Sequence, residues 1–173
     1  AVTAPGLREV TGDDLGVVPW ELAYCFANGI DCVPNPTLQT FSAYTRRLDL
    51  ASARHYSGPS APAFVLASHE ALDRKSVALE APALWRALVD CYRPAAVQPA
   101  RLLLLARSPG ECSRPEATLG VVQARADTWV PVPVSTGLVS ASVPLDLAWP
   151  GRVVKAIHRV PSLFLDVGFR SGR

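Results

Sequence analysis

The chain reads as an α/β protein. The expected architecture is a three-layer, Rossmann-like, mostly parallel sheet with flanking helices, followed by a small antiparallel β unit. Three observations predict it. Short apolar runs alternate with helical periods as far as Arg107, which is the order of a parallel sheet with crossover helices. The runs Ala63–Ser68 and Leu102–Ala106 lack charged residues, as strands buried on both faces do. After Ser108-Pro109-Gly110 the helical periods stop and alternation by twos takes over. The predicted division is therefore residues 1–108 as the α/β domain and 109–173 as the β unit.

The elements follow in order. Leu7–Val10 and Leu15–Val18 are apolar runs around the turn Gly12-Asp13-Asp14. Pro19 suits the first position of a helix, where its missing N–H costs nothing. Trp20, Tyr24 and Ala27 then share a face, and Asn28-Gly29 stops the helix because both tolerate left-handed backbone. Ile30–Val33 is a short strand closed by Pro34-Asn35-Pro36. Thr45 caps a second helix running to Ser57, with Leu48, Ser52 and His55 on a face with Ala51; Gly58-Pro59 ends it. Ala63–Ser68 is a buried strand, and Glu70–Leu79 a polar loop. Pro82 opens a third helix whose apolar face holds Leu84, Trp85, Leu88, Val89 and Tyr92. Arg101–Arg107 closes this half as a strand.

In the second half, Leu119–Arg125, Thr128–Val134, Leu138–Trp149 and Leu163–Phe169 are strand-like. Val139, Ala141, Val143, Leu145, Leu147 and Trp149 alternate with Ser140, Ser142, Pro144, Asp146 and Ala148. Pro131, Pro133 and Pro144 place these strands at edges or bulges. The last run ends so near Arg173 that the chain is expected to stop within a domain.

Composition limits the function classes. With 173 residues, 49% of them hydrophobic and 18% charged, the chain can build a core and is too apolar for disorder. Net charge is +2 and Arg46-Arg47 is the densest basic spot, so nucleic acid is not expected as a partner. No apolar run approaches the roughly 20 residues of a membrane span, and no signal-peptide pattern is read. The absence of Met points to a processed protein or an excised domain. The preference for Ala, Arg, Val and Leu over Lys and Ile suggests a high-GC bacterial source. Four cysteines, Cys25, Cys32, Cys91 and Cys112, allow three pairings. Without a CxxC, zinc is not expected. They are either buried thiols or disulfides of an oxidising compartment, with Cys25–Cys32 and Cys91–Cys112 as the short-range choice.

Two stretches hold the candidate ligand-binding residues. Gln39, Ser42, Tyr44 and Thr45 offer the donors and acceptors that recognise sugars or phosphates; the plainer reading is a capped helix start. Arg46 or Arg47 could neutralise a phosphate there. His69, Glu70 and Asp73, with Arg74, follow directly on a strand, where open α/β sheets bind ligands. They could serve as acid and base or hold a metal, or form a solvated loop with a local Asp–Arg pair. Asp13, Asp14 and Glu21 near the first strand are read as turn residues before cation ligands. His55 and His158 stand alone. GxGxxG, GxxxxGK[ST] and GxSxG are all missing, which disfavours phosphate-loop and α/β-hydrolase chemistry. No cofactor or metal is expected.

The series Pro19-Trp20-Glu21, Asn28-Gly29, Asn35-Pro36, Gln39-Thr40-Phe41-Ser42-Ala43-Tyr44-Thr45, Leu48-Asp49, Ala61-Pro62-Ala63-Phe64-Val65-Leu66 and Leu72-Asp73-Arg74 resembles a pattern in bacterial polytopic membrane proteins. There it recurs as a soluble segment after a multi-span region. Some of these proteins look like membrane glycosyltransferases that use lipid-linked sugars. The resemblance covers residues 17–107, with a weaker echo in the later strands; the multi-span region itself is missing from this sequence. It implies a periplasmic or extracytoplasmic, non-catalytic domain that binds or positions a glycan, a lipid-linked sugar or an envelope partner, joined to the membrane through that region. The rival expectation is a free-standing hydrolase or transferase for a sugar or phosphate ester, built on His69, Glu70 and Asp73. A third is an interaction module with an exposed apolar patch.

Overall fold

The computed structural model describes residues 10, 15–68, 76–98, 102–110, 112, 116–135, 137, 139–144 and 146–157. The chain divides into two compact units, Ala1–Ala117 and Thr118–Arg173. The break thus falls nine residues beyond the expected boundary at 108.

The first unit is α/β, with one mixed sheet of five strands: β1 (Leu15–Val18), β2 (Cys32–Val33), β3 (Phe64–Ser68), β4 (Tyr92–Gln98) and β5 (Leu102–Arg107). Their order is β2-β1-β3-β5-β4. β1 pairs in parallel with β2 and β3; β5 pairs antiparallel with β3 and β4. The antiparallel ladders are the longer ones, so the expectation of a mostly parallel sheet is corrected. The cause is β4, a strand the sequence pattern does not announce: its first residue, Tyr92, is expected on a helix face, and 93–98 fall in no expected element. Only residues 99–101 separate β4 from β5, whereas a parallel crossover takes a dozen or more, so β5 has to run back. Pro94 tolerates its place because β4 is an edge strand and the register shifts between Pro94 and Ala96.

The strands divide their side chains between two faces. Val18, Val65, Ala67 and Leu105 join one core with Tyr56, Leu84, Leu88, Cys91 and Tyr92. Leu15, Val17, Leu66, Leu102 and Leu104 join a second with Val10 and Cys25. Strict alternation along β1, β3 and β5 accounts for the split. The first core is covered by helices α2 (Arg46–Ser57) and α4 (Pro82–Cys91), the second by α1 (Ala23–Asn28).

The helix signals were largely sound. Gly29 closes α1 at φ 65°, the left-handed backbone that favours glycine. α1 itself is shorter than expected: Leu22 precedes it, and Pro19 lies outside, in a cis peptide with Val18. The Thr45 hydroxyl accepts from Leu48 N–H at 3.3 Å and starts α2. The buried face of α2 is Asp49, Ser52 and Tyr56, not one with Leu48, which is exposed. Pro82 opens α4 as expected, and Leu84, Ala87, Leu88 and Cys91 are its buried face. Within the expected polar loop 70–79, Val77–Glu80 begins a one-turn helix, α3.

Two tight contacts fix the layer above the sheet. A Cβ on Gly16 would stand 2.8 Å from the Tyr56 ring and 3.0 Å from Pro62, so only glycine admits Tyr56 to the core. Arg107 donates to the carbonyls of Ala61 (3.1 Å) and Gly58 (2.8 Å), and the Tyr92 hydroxyl donates to Pro62 O at 2.8 Å. These bonds hold the α2–β3 connection against the last residue of β5 and the first of β4.

The second unit departs from the expected antiparallel β structure. Among its described residues there is no strand; the runs Leu119–Arg125 and Thr128–Val134 form none, and the single helix is α5 (Trp149–Ile157). Leu163–Phe169 lies outside the described residues. No helix among the described residues is long and apolar enough to cross a membrane.

Candidate functional site

A cleft of about 400 Å³ opens where the N-termini of α2 and α4 meet. Ala43, Tyr44, Thr45, Arg46, Asp49, Leu50, Glu80, Pro82 and Ala83 line it. Its walls follow from local sequence. A 3-10 turn, Thr40–Ser42, anchors the approach, because Thr40 N–H donates to Pro19 O at 3.0 Å and Thr40 is fully buried. Asn35 donates to Thr37 O at 2.7 Å, and the Thr37 and Ser52 hydroxyls lie 3.2 Å apart, tying the same loop to α2. Ala43 is buried; Tyr44, next in the chain, is turned outward and is 85% exposed.

Asp49 is the keystone of the cleft floor. Its two carboxylate oxygens accept from Ala83 N–H and Leu84 N–H, each at 3.0 Å. A side chain of α2 thereby caps α4, whose first N–H groups have no partner within their own helix. The carboxylate also faces the positive end of α4. Both oxygens are thereby engaged in holding α4 against α2.

Further polar lining comes from Arg46 and Glu80. Arg46 is exposed at the rim. Glu80 Oε2 is buried and has no hydrogen-bond partner within the protein. An aromatic face, a guanidinium and a carboxylate acceptor around one cleft can stack on a ring, bind an anionic group and accept from hydroxyls. Among the described residues no group of three His, Cys, Asp or Glu side chains could hold a metal ion.

The expected site residues are only partly brought together. Tyr44 and Arg46 both line the cleft; Gln39 and Ser42 belong to the preceding turn and lie outside its lining. His69, Glu70 and Asp73 lie outside the described residues, as do Asp13, Asp14 and His158. Glu21 is half-buried. Glu80 and Asp49 were missed by sequence reasoning. Asp49, in the first turn of its own helix, carried only the signal of an ordinary dipole partner, and nothing local marks its bond to a helix more than thirty residues on. Glu80, two residues before Pro82, had a weak signal: an acid beside a helix start.

The cysteines resolve in two ways. Cys25 and Cys32 form a disulfide with Cα atoms 6.0 Å apart, joining α1 to β2. Cys91 and Cys112 are free thiols. Burial, with Cys112 beside it, pushes the Cys91 thiol up to about 12. Tyr56 is raised by burial and by Tyr92; Tyr92 is raised by burial, against the pull of Arg107. His55 is lowered by burial.

The chain matches no family model, no curated protein and no solved structure.

Proposed function

We propose that the chain is a non-catalytic, extracytoplasmic domain of a bacterial membrane protein, and that the α2–α4 cleft binds or positions a glycan. The cleft carries this reading: an exposed tyrosine, a rim arginine and the glutamate Glu80 line one cavity. Sugar rings offer a C–H face to an aromatic side chain and hydroxyls to acceptors and donors. Arg46 adds affinity for an acidic sugar or a phosphate-linked one. The lipid-linked sugars expected from the sequence pattern carry such phosphates.

The non-catalytic part rests on Asp49. With both of its oxygens held by α4, the described lining keeps Glu80 as its one free carboxylate, whereas acid–base hydrolysis of a glycoside ordinarily uses two. The compartment is supported by the Cys25–Cys32 disulfide, a bond that persists where thiols are oxidised. The architecture is read as three layers, supported by the two apolar clusters on opposite sides of the sheet.

The test is calorimetric titration of the full chain with neutral and anionic oligosaccharides. Binding should weaken about tenfold in Tyr44→Ala, the loss of roughly 1.4 kcal/mol. Arg46→Ala should erase the preference for anionic over neutral sugars. Equal binding by wild type and Tyr44→Ala would dismiss the cleft as the site.

A further inference from the structure

Cys91 and Cys112 are brought together by the fold although they are 21 residues apart. Cys91 ends α4 and is buried in the first core; Cys112 packs against that same core and is partly exposed. The route between them is specific. β5 carries the chain away from Cys91, and then Ser108 N–H donates to Cys91 O at 2.8 Å. Gly110, at φ 112°, takes a backbone that favours glycine and helps turn the chain back. The Cys91 thiol then lies 4.0 Å from the Cys112 carbonyl oxygen. The thiols sit in the same unit as the cleft, but neither lines it.

From this return we propose that Cys91 and Cys112 are an oxidisable dithiol that closes into a second disulfide, fastening the segment after β5 to the end of α4. The order of events follows from exposure. The Cys112 thiolate attacks one sulfur of a small-molecule or protein disulfide and expels one thiolate. Cys91 then gives its proton to solvent and attacks the Cys112 sulfur, expelling the other partner thiolate. Two protein thiols lose two electrons and two protons to become one disulfide, and the partner disulfide is reduced to two thiols. Burial raises the Cys91 thiol, which leaves the partly exposed Cys112 as the first to react. The resulting pair is separate from Cys25–Cys32, which already spans α1 and β2.

The experiment equilibrates the native full chain in glutathione buffers from reducing to oxidising, quenches it by alkylation, and maps tryptic peptides without reduction. Cleavage at Arg101 and Arg107 separates the two cysteines. The expected result is a fall from two free thiols to none, with one linked peptide holding Cys91 and Cys112. The thermal midpoint should rise with the same dependence on the glutathione ratio. Cys112→Ser, whose site is partly exposed and tolerant, should keep one thiol and lose that rise; Cys91→Ser should do the same where it folds. Two thiols persisting in native wild type at the oxidising end would overturn the proposal. So would separate glutathione adducts at both positions, or linkage to Cys25 or Cys32.

Discussion

In the first unit Val17, Val18, Val65, Leu66 and Leu104 are buried, while in the second Val121, Val122, Trp129, Val132 and Val134 face solvent. The two sets are similarly apolar, and the difference lies in what stands opposite them. β1, β3 and β5 hydrogen-bond to one another and present alternate side chains to helices whose own apolar stripes match. From Thr118 to Ile157 no described residue is buried. Alternation by twos is a necessary mark of a half-buried strand; it becomes a strand only when a ladder partner satisfies the backbone and a second layer covers the face. The exposed hydrophobic side chains among the described residues of the second unit are thus potential contact area.

The largest effect that could break this contrast comes from truncating matched side chains. Leu66→Ala and Leu84→Ala remove fully buried groups and should each cost about 2–5 kcal/mol in urea unfolding. Val121→Ala and Val134→Ala remove exposed groups and should stay within about 0.5 kcal/mol of wild type. Comparable losses in both units would mean that the second unit buries these side chains in solution, and the comparison would fall. Limited trypsin digestion sharpens the same point: Arg125 and Arg152, both exposed, should be cut before Arg54 and Arg107.

An intermediate effect is expected where the helices of the first unit are joined. Asp49→Ala strips the cap from α4 and leaves the N–H groups of Ala83 and Leu84 without their acceptor. Thermal or urea denaturation should register a loss of about 1–2 kcal/mol. Asp49→Asn, which keeps one acceptor oxygen, should recover part of it. Denaturation curves indistinguishable from wild type would show that the α2–α4 joint does not depend on this carboxylate. Because Asp49 also floors the cleft, its alanine variant should weaken glycan binding through the shape of the site.

Legibility in the sequence followed the range of the interaction. Gly29, Thr45 and Pro82 act within one turn of their own helices, and all three placed a helix end correctly. The apolar runs of β3 and β5 announced themselves because a strand between neighbours is covered on both sides. β4 was hidden by Arg93 and Pro94, residues an edge strand accepts and a central strand would not. Losing it concealed the reversal of β5, and with that the mixed sheet. Tyr44 and Arg46 were legible as surface chemistry. Glu80 and the inward use of Asp49 were not, since both depend on α4 docking against α2. The pairing of the second half was misjudged for the same reason in reverse: the pattern was local, and the partners it implied are not among the described residues.

The smallest expected effect concerns His55, which sits on α2 edge-on to Tyr56, with ring centroids 4.9 Å apart. Its Nε2 is buried without a hydrogen-bond partner. Burial lowers its pKa below the ordinary 6.5, since a charged imidazolium would lose hydration there. The sign follows from proton counting. Above 6.5 the imidazole is neutral in both states and contributes no pH dependence. As pH falls below 6.5, the unfolded chain takes up a proton that the folded chain still refuses. Stability should therefore decline between 6.5 and the lower folded value, then level off once the folded imidazole also protonates. Half-exposure keeps the decline shallow. His55→Gln, which cannot titrate, should flatten this segment of a stability-versus-pH curve while leaving the carboxylate-driven fall at lower pH intact. A wild-type curve already flat across that window, or a variant that keeps the slope, would show that the α2 face is wetter than its packing against Tyr56 implies. That result would narrow the contrast between the two units from the side of the first one.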